Sequence, residues 1–394
     1  MRRAAPLLVL FATALGVAEG LAYLILTRVP AARACLRRDL DRLRDAVTAE
    51  DVRAFRDHGW DARLGWTAKP GTRGEAVGPD HRVWRFAIDA RGARRNPLGT
   101  DRGWISAYGD SFAFCAEVDD DETWEVDLSR LAHTTVANFG VSAYGPDQAL
   151  WRLEQHLPAD ATRVVVLTVM SEDIGRLLSM YRPFYLQETA LRVGFKPMLV
   201  PIGERFAVLP NPLARADGRA DFLAAFEAAT RHDFWYRLDQ KRPPRRFPYL
   251  LTLARAVRYA LLDAVDLGTL YDRDLGRRRL LYVIDRFVAL GAQYDFTPVL
   301  LFIPAPGELR HARRGRYAYT PFVERLRTRP DLARLRIVDL AQASFAPERF
   351  NTLPFVGHAS PYGNRVIAEA VFAAIQDLAP TGADPTAAAQ GERR

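Results

Sequence analysis

The stretch Trp104-Ile105-Ser106-Ala107-Tyr108-Gly109-Asp110-Ser111-Phe112 joins a strand-like run to a turn of the kind found in parallel α/β sheets. The run Ile105–Tyr108 predicts a strand, Gly109 permits the turn, and the residues after Ser111 can continue as a helix. A serine just past a strand end stands at the rim of a parallel sheet, where open α/β sheets bind ligands. The same geometry exposes a nucleophilic hydroxyl and directs backbone N–H groups at a developing oxyanion.

Apolar runs alternate with helical patterns on the C-terminal side of this stretch. Continuous apolar runs, typical of buried parallel strands, predict strands at 134–139, 163–170, 298–304 and 337–340. Helical spacing predicts helices at 147–157, 282–290 and 364–378. Strands separated by helices indicate a three-layer α/β/α sandwich with a mainly parallel sheet.

The remaining segments predict the domain organisation. Residues 1–30 are a transmembrane anchor or a signal, 31–60 a charged, helix-patterned stalk, and 61–380 the α/β domain. Proline-rich residues 175–276 interrupt the strand–helix rhythm, so they are interpreted as an insertion that caps the active-site edge of the sheet. The small, polar residues 381–394 are expected to be a disordered tail.

The N-terminal apolar run predicts a membrane segment. Residues 4–27 are almost entirely apolar and long enough to span a bilayer, which favours a single-pass anchor over a cleaved signal ending near Ala32-Arg33-Ala34. Glu19 is the one charge inside the run, and it is costly there unless it is paired or near an interface. The arginines after the run oppose an orientation with the N-terminus in the cytoplasm, whereas an extracytoplasmic domain follows from the family resemblance given below.

The composition argues against two classes of site. The net charge is +8, but only three of the basic residues are lysine and the arginines are scattered among acids. No nucleic-acid-binding module accompanies them, so no nucleic-acid partner is expected. The two cysteines, Cys35 and Cys115, fit neither a disulfide framework nor zinc-ligand spacing, and no metal or other cofactor is predicted.

Four segments carry a family resemblance, at 109–112, 138–148, 170–174 and 357–364. Their order, spacing and flanking pattern resemble the SGNH/GDSL hydrolase superfamily over roughly residues 60–375, which implies a flavodoxin-like sandwich. The wider string 109–124, with Glu117-Val118 and Asp121-Glu122-Thr123-Trp124, is similar to the membrane-anchored bacterial branch found with cell-envelope polysaccharide genes.

The resemblance implies a role for three residues. Ser111 matches the nucleophile, and His358 matches the base that takes the serine proton and returns it to the leaving alcohol. Gly140 matches the glycine whose N–H forms the oxyanion hole together with the N–H of Ser111. This set suits acyl transfer, since a serine hydroxyl is a weak nucleophile until an imidazole accepts its proton.

Two positions depart from the family pattern. Glu172 holds the place of an asparagine that donates to the oxyanion, so it would have to be protonated or turned away; as a structural residue, it is expected to pair with Arg176. Val356 and Phe355 stand where the family has an aspartate before the histidine. No local carboxylate is therefore expected to orient His358, and Asp339 is the candidate substitute.

The predicted function is a serine esterase that removes O-acyl groups, acetyl in the first instance, from an envelope carbohydrate through an acyl-enzyme. Two alternatives stay open at this point. A sugar hydroxyl in place of water would make the same site an O-acetyltransferase. A non-catalytic relative would keep the fold as a glycan-binding or scaffold protein in the membrane. A hydrogen bond between Ser111 and His358 would favour the enzyme.

Overall fold

The computed structural model describes residues 4–99, 102–186, 191–310 and 317–379. These residues fall into a sheet unit within 57–177, 197–210 and 267–394, and a helical unit within 1–56, 178–196 and 211–266. The tail predicted at 381–394 lies outside the described residues. The predicted domain boundaries, including the stalk and the position of the insertion, stay predictions.

Five parallel strands form the central sheet: β1 (Ile105–Tyr108), β2 (Val136–Asn138), β3 (Val164–Met170), β4 (Thr297–Ile303) and β5 (Arg336–Asp339). Their order in the sheet is β5-β4-β3-β1-β2. The strand order reverses between β1 and β3, and ligands of open α/β sheets bind outside the carboxyl ends of strands at such a switch point. Ser111 follows β1 and Glu172 follows β3, so both residues lie at this edge.

Helices cover both faces of the sheet. On one face, apolar side chains of β3 and β4 form a buried cluster with helices Trp124–Ala132 and Pro361–Ile375. Helices Pro146–Asp160 and Asp274–Tyr294 pack against β3, β4 and each other, and cover the side chains that point to the opposite face. The predicted three-layer α/β/α sandwich with a parallel sheet is confirmed.

Most predicted strands of the sheet are confirmed, with shifted ends. The buried runs at 163–170 and 298–304 form β3 and β4, whereas the run at 134–139 contributes only three residues to β2. The sequence indicated a strand at 84–89, which the structure has at Val83–Ala87, but it did not predict the antiparallel hairpins as pairs. They are Trp60–Asp61 with Gly65–Trp66, Arg73–Val77 with Val83–Ala87, Met198–Ile202 with Arg205–Leu209, and Asn351–Leu353 with Val356–Ala359.

Shorter helices complete the sheet unit. They are Ser111–Phe114, Pro306–Leu309, Thr320–Arg327 and Pro347–Phe350, with 3₁₀ turns at Asp120–Glu122, Leu267–Tyr271, Pro330–Leu332, Leu340–Gln342 and Gln376–Leu378. A 3₁₀ segment at Ser171–Leu178 follows β3.

The helical unit contains the N-terminal apolar helix Ala4–Arg28, whose residues Pro6–Arg28 are long and apolar enough to cross a membrane. Its other helices are Pro30–Ala34, Leu40–Asp45, Ala49–His58, Arg182–Tyr185, Arg219–His232, Phe234–Gln240 and Tyr249–Leu262. Packed aromatic rings of Tyr181, Phe184 and Phe226 form part of its core. Arg38 pairs with the buried Asp239 at 3.0 Å, so part of the predicted stalk packs within this unit.

The buried His156 is expected to make the stability of the sheet unit fall at acidic pH. Its ring lies against Phe139, with centroids 4.4 Å apart, and its Nδ1 is 3.2 Å from the Tyr108 hydroxyl. Burial, helped by the charge of Arg152, lowers the pKa of His156 from 6.5 to about 4. Below pH 6.5 the unfolded chain therefore binds a proton here that the folded chain does not bind until about pH 4.

The free energy of unfolding should fall as the pH falls through this window, by about 2–3 kcal/mol from this group at pH 4.5. His156→Asn keeps a hydrogen-bond acceptor but does not titrate. We expect the difference in unfolding free energy between His156→Asn and the parent to shift in favour of the variant between pH 7 and pH 4.5 in urea titrations. An unchanged difference would show that the folded protein protonates His156 as readily as the unfolded chain does.

Candidate active site

The turn after β1 fixes the position of Ser111. Asp110 caps the short helix Ser111–Phe114, with its Oδ1 accepting from the Phe112 N–H at 2.8 Å. Its Oδ2 lies 3.1 Å from Arg176 Nη1, and that guanidinium also donates to the Tyr144 carbonyl at 2.7 Å. Asp110 is almost fully buried, so the turn is held by a buried ion pair and a helix cap. As the first helical residue, Ser111 has an N–H without an intrahelical acceptor.

A β-hairpin carries His358 to this turn. The strands Asn351–Leu353 and Val356–Ala359 pair, and Ser360 then caps the helix Pro361–Ile375. The predicted final helix is confirmed, beginning three residues earlier than its predicted start at 364. His358 Nε2 lies 2.8 Å from Ser111 Oγ, and its ring rests against Phe112 with centroids 5.1 Å apart. The structure therefore brings together the two residues that the sequence singled out.

A carboxylate that the sequence did not predict completes the arrangement. Glu117 Oε1 lies 2.7 Å from His358 Nδ1, and Oε2 accepts from the His358 backbone N–H at 2.9 Å and from the Thr352 hydroxyl. Because an ionised carboxylate only accepts hydrogen bonds, Nδ1 must carry the ring proton. Nε2 is then left with its lone pair toward Ser111.

The short segment from Ser111 to Glu117 reverses direction through left-handed residues. Cys115 has φ 58° and Glu117 has φ 73°, a region that residues other than glycine rarely adopt. Arg94 holds this path: its guanidinium donates to the carbonyls of Phe114 at 2.7 Å, Cys115 at 2.5 Å and Val118 at 2.6 Å. Strained backbone persists only where its surroundings over-determine it, and here a buried arginine does so.

Gly357 allows the carboxylate to approach the hairpin. Its φ is +81°, and a Cβ at this position would lie 2.4 Å from Glu117 Oε2. Any side chain at position 357 would therefore displace the carboxylate from His358.

The environment keeps Glu117 ionised. Burial by itself raises the pKa of this carboxyl, but the hydrogen bonds and charge of His358, together with the Thr352 hydroxyl, outweigh burial and lower the pKa below its ordinary value. The His358 side chain is 26% exposed, whereas that of Glu117 is 13% exposed. The acid is thus the more buried member of the pair, and the histidine faces the solvent side.

Gly140 meets the nucleophile turn at close range. A Cβ on Gly140 would lie 2.3 Å from the Phe114 nitrogen and 2.5 Å from the Ala113 carbonyl carbon, so only glycine fits. Its own N–H donates to Asn138 Oδ1 at 3.0 Å. The predicted oxyanion donor therefore lies against the short helix that Ser111 begins, but its N–H already has a partner.

Glu172 and Asp339 lie in other settings. Glu172 is exposed after β3, and its backbone N–H points to Met170 Sδ at 3.4 Å. Arg176, its expected partner, pairs with Asp110 and Asp173, and the pairing of Glu172 with Arg176 stays a prediction. Asp339 accepts from the Tyr319 hydroxyl at 3.0 Å and from the Ala341 N–H at 3.0 Å. The carboxylate that orients His358 is thus Glu117, and not Asp339.

No protein-family model and no curated protein matches this sequence. Among solved structures, the chain is similar to a protein named as lipolytic and of the G-D-S-L family, from Desulfitobacterium hafniense DCB-2. The two share 12% identity over 68% of this chain and 96% of the other, with a TM-score of 0.31. Such a distant similarity assigns no function, which has to be inferred from the side chains themselves.

Glu117 could have been predicted from the sequence, but the family pattern places the acid at a different position. The family pattern directs attention to the residues just before the histidine, where this chain has Phe355 and Val356. The acid lies instead six positions after the serine, on the segment that the nucleophile turn itself positions. A carboxylate six residues after a candidate nucleophile is the pattern that would have found it.

Proposed function

We propose that this chain is a serine esterase in which Ser111, His358 and Glu117 act together. The hydrogen-bonded chain from Ser111 Oγ through the His358 ring to Glu117 carries the proposal. A nucleophile, a base within hydrogen-bond reach and a group that orients the base are the signature of an activated serine. The same contact supports an enzyme over a scaffold protein that has merely kept the fold.

In the proposed reaction, Ser111 Oγ attacks the ester carbonyl carbon while His358 Nε2 takes the hydroxyl proton. The tetrahedral intermediate collapses, the alkoxy group leaves, and Nε2 returns the proton to it as an alcohol. Water then attacks the acyl-enzyme with His358 as the base, releasing a carboxylic acid and restoring Ser111. Glu117 stays ionised throughout and stabilises the imidazolium that forms in each step.

The oxyanion is assigned to backbone donors. The Ser111 N–H at the start of its helix is the first donor, supported by the positive end of the helix turn. The Gly140 N–H can serve as the second if it is shared between Asn138 Oδ1 and the substrate, as a three-centre hydrogen bond. Glu172 is proposed to take no part as an ionised group, because a carboxylate cannot donate.

The proposed substrate is an O-acylated carbohydrate of the cell envelope, with acetyl as the acyl group. This step rests on the resemblance of residues 109–124 to the membrane-anchored bacterial branch and on the apolar helix at the N-terminus. We propose that the helix is a single-pass anchor and that the sheet unit is extracytoplasmic. A sugar hydroxyl that replaced water in the second step would convert the same site to an O-acetyltransferase.

Covalent labelling tests the nucleophile directly. We expect the full chain in detergent to be labelled by a fluorophosphonate at Ser111 and to hydrolyse p-nitrophenyl acetate, because the His358 base activates this hydroxyl alone. Ser111→Ala should lose both the label and the turnover. Ser142, an exposed serine in the same unit, provides the matched control Ser142→Ala, which should keep both. Folded protein that shows neither reaction would refute the proposal.

A further inference from the structure

The helix Tyr249–Leu262 presents an apolar stripe to solvent. Leu250, Ala254, Val257 and Leu261 recur at helical spacing and are all exposed, with Val257 at 51% and Leu261 at 78%. Phe247, two residues before the helix, is 68% exposed. Exposed apolar residues arranged as a continuous stripe mark an interaction surface, whereas isolated ones do not.

The other face of this helix packs on the N-terminal apolar helix within the helical unit. Leu26 and Ala256 belong to one buried cluster, and the rings of Tyr23 and Tyr249 lie 5.0 Å apart. Ala22 and Leu26 of the N-terminal helix are buried here, while its large apolar side chains from Leu7 to Leu21 remain exposed. The stripe thus lies on a helix that packs against one long and apolar enough to span a bilayer.

Glu19 connects the two helices chemically. Its Oε2 accepts from the backbone N–H groups of Tyr249 at 2.5 Å and Leu250 at 3.3 Å, the first residues of a helix that Pro248 leaves without a side-chain cap. The one charge in the apolar run therefore satisfies N–H groups at a helix N-terminus. These donors offset part of the cost that an acid has within a membrane segment.

The charge around the stripe is mainly positive, although Asp263 at the end of the helix lies 3.0 Å from Lys241 and 4.0 Å from Arg258. Residues 242–262 contain no aspartate or glutamate, and their basic residues are Arg242, Arg245, Arg246, Arg255 and Arg258. Arg255 and Arg258 are exposed on the helix beside the stripe. An apolar stripe flanked by arginines is the pattern of a helix that lies at the surface of a membrane with anionic lipids.

We propose that Phe247–Leu262 is a second membrane-contacting element, in which the exposed stripe enters the acyl boundary of the bilayer and the arginines bind anionic lipid headgroups. The helical unit would then be held on the membrane by the spanning helix Ala4–Arg28 and by the interfacial helix Tyr249–Leu262. Hydrogen bonds to Glu19 join these two helices. This inference does not depend on the proposed esterase activity.

An environment-sensitive label tests the contact. In a Cys35→Ser background, Leu261→Cys carries an NBD label on the full chain in phosphatidylcholine–phosphatidylglycerol vesicles; Cys115 is buried and stays unlabelled. We expect quenching by doxyl-labelled lipids and an iodide quenching constant lower by on the order of tenfold than at an aqueous site. Val257→Cys should behave alike and guards against an effect of one substitution.

Glu227→Cys is the matched control, because Glu227 lies 70% exposed on helix Arg219–His232 of the same unit. Its label should be quenched by iodide and not by the lipids. Iodide quenching at positions 257 and 261 equal to that at 227 would overturn the proposal. The proposal would also be overturned if the labels were protected from iodide only as the number of protein molecules per vesicle rises, and were not quenched by the doxyl-labelled lipids. That result would favour contact with a second copy of the chain.

Discussion

Replacing His358 by alanine is expected to lower kcat for p-nitrophenyl acetate on the order of 10⁶-fold, because Ser111 loses the base that accepts its proton. His358 Nε2 is the ring nitrogen placed 2.8 Å from Ser111 Oγ. Reaction with a fluorophosphonate should slow in parallel, since labelling uses the same activated hydroxyl. Steady-state kinetics and a labelling time course on the full chain in detergent measure both.

The control for this variant is His232→Ala, which removes an exposed histidine from helix Arg219–His232. It should retain the parent kcat and labelling rate. Far-UV circular dichroism of His358→Ala should match the parent, because the imidazole is partly exposed and its hairpin is held by backbone pairing. A folded His358→Ala protein that keeps more than about 1% of kcat would exclude His358 as the base.

Glu117→Gln is expected to lower kcat about 10⁴-fold, because the amide cannot reproduce the contacts of the carboxylate in either orientation. Both oxygens of Glu117 accept hydrogen bonds, one from the His358 ring and the other from the His358 N–H and Thr352. With its NH₂ toward the ring, the amide forces the tautomer that cannot take the Ser111 proton. With its NH₂ toward the backbone, it opposes the His358 N–H, which can only donate.

The split between kcat and KM separates this positioning role from simple loss of structure. Glu117 contacts His358 through the ring nitrogen Nδ1, so in Glu117→Gln we expect kcat to fall while KM for p-nitrophenyl acetate stays within about twofold. Thr352→Val is the matched control, since it removes one hydrogen bond to Oε2 and leaves the ring contact intact; its kcat should fall about tenfold or less. Equal losses of kcat in both variants would assign Glu117 a structural role only.

The fold was predictable because buried parallel strands have continuous apolar sequences. The runs in β3 and β4 are covered on both faces, so every residue is apolar or small and the pattern is unambiguous. The short β2 and the edge hairpins offer no such run. Hairpins such as Asn351–Leu353 with Val356–Ala359 depend on turn residues and on the surface they cover, which periodicity does not reveal.

The candidate site was predictable to the extent that its residues follow strand ends. Ser111 and His358 were found because their segments have a recognisable order along the chain. Glu117 was missed because three features that the sequence does not reveal bring it to His358. They are the left-handed backbone at Cys115 and Glu117, the hydrogen bonds of Arg94 to this segment, and the space left by Gly357. For Gly140, the sequence indicated a donor, whereas the structure adds a steric demand from Ala113 and Phe114.

The N-terminal acid illustrates a third kind of outcome. The expectation that Glu19 needs a partner followed from the cost of a charge in an apolar run. The partner turned out to be the uncapped start of a helix 230 residues away, whose existence the proline-rich interval concealed. A sequence can thus reveal an unmet requirement without revealing the group that meets it.

The placement of the three site residues along the chain has a consequence for biosynthesis. Ser111 and Glu117 emerge together, but His358 follows the serine by 247 residues and completes the site only after the final hairpin docks. A nascent chain that ends before this hairpin has an unactivated serine. The proposed enzyme would therefore have no esterase activity while the residues before this hairpin are being synthesised. The appearance of activity would show that the hairpin carrying His358 has docked on the sheet unit.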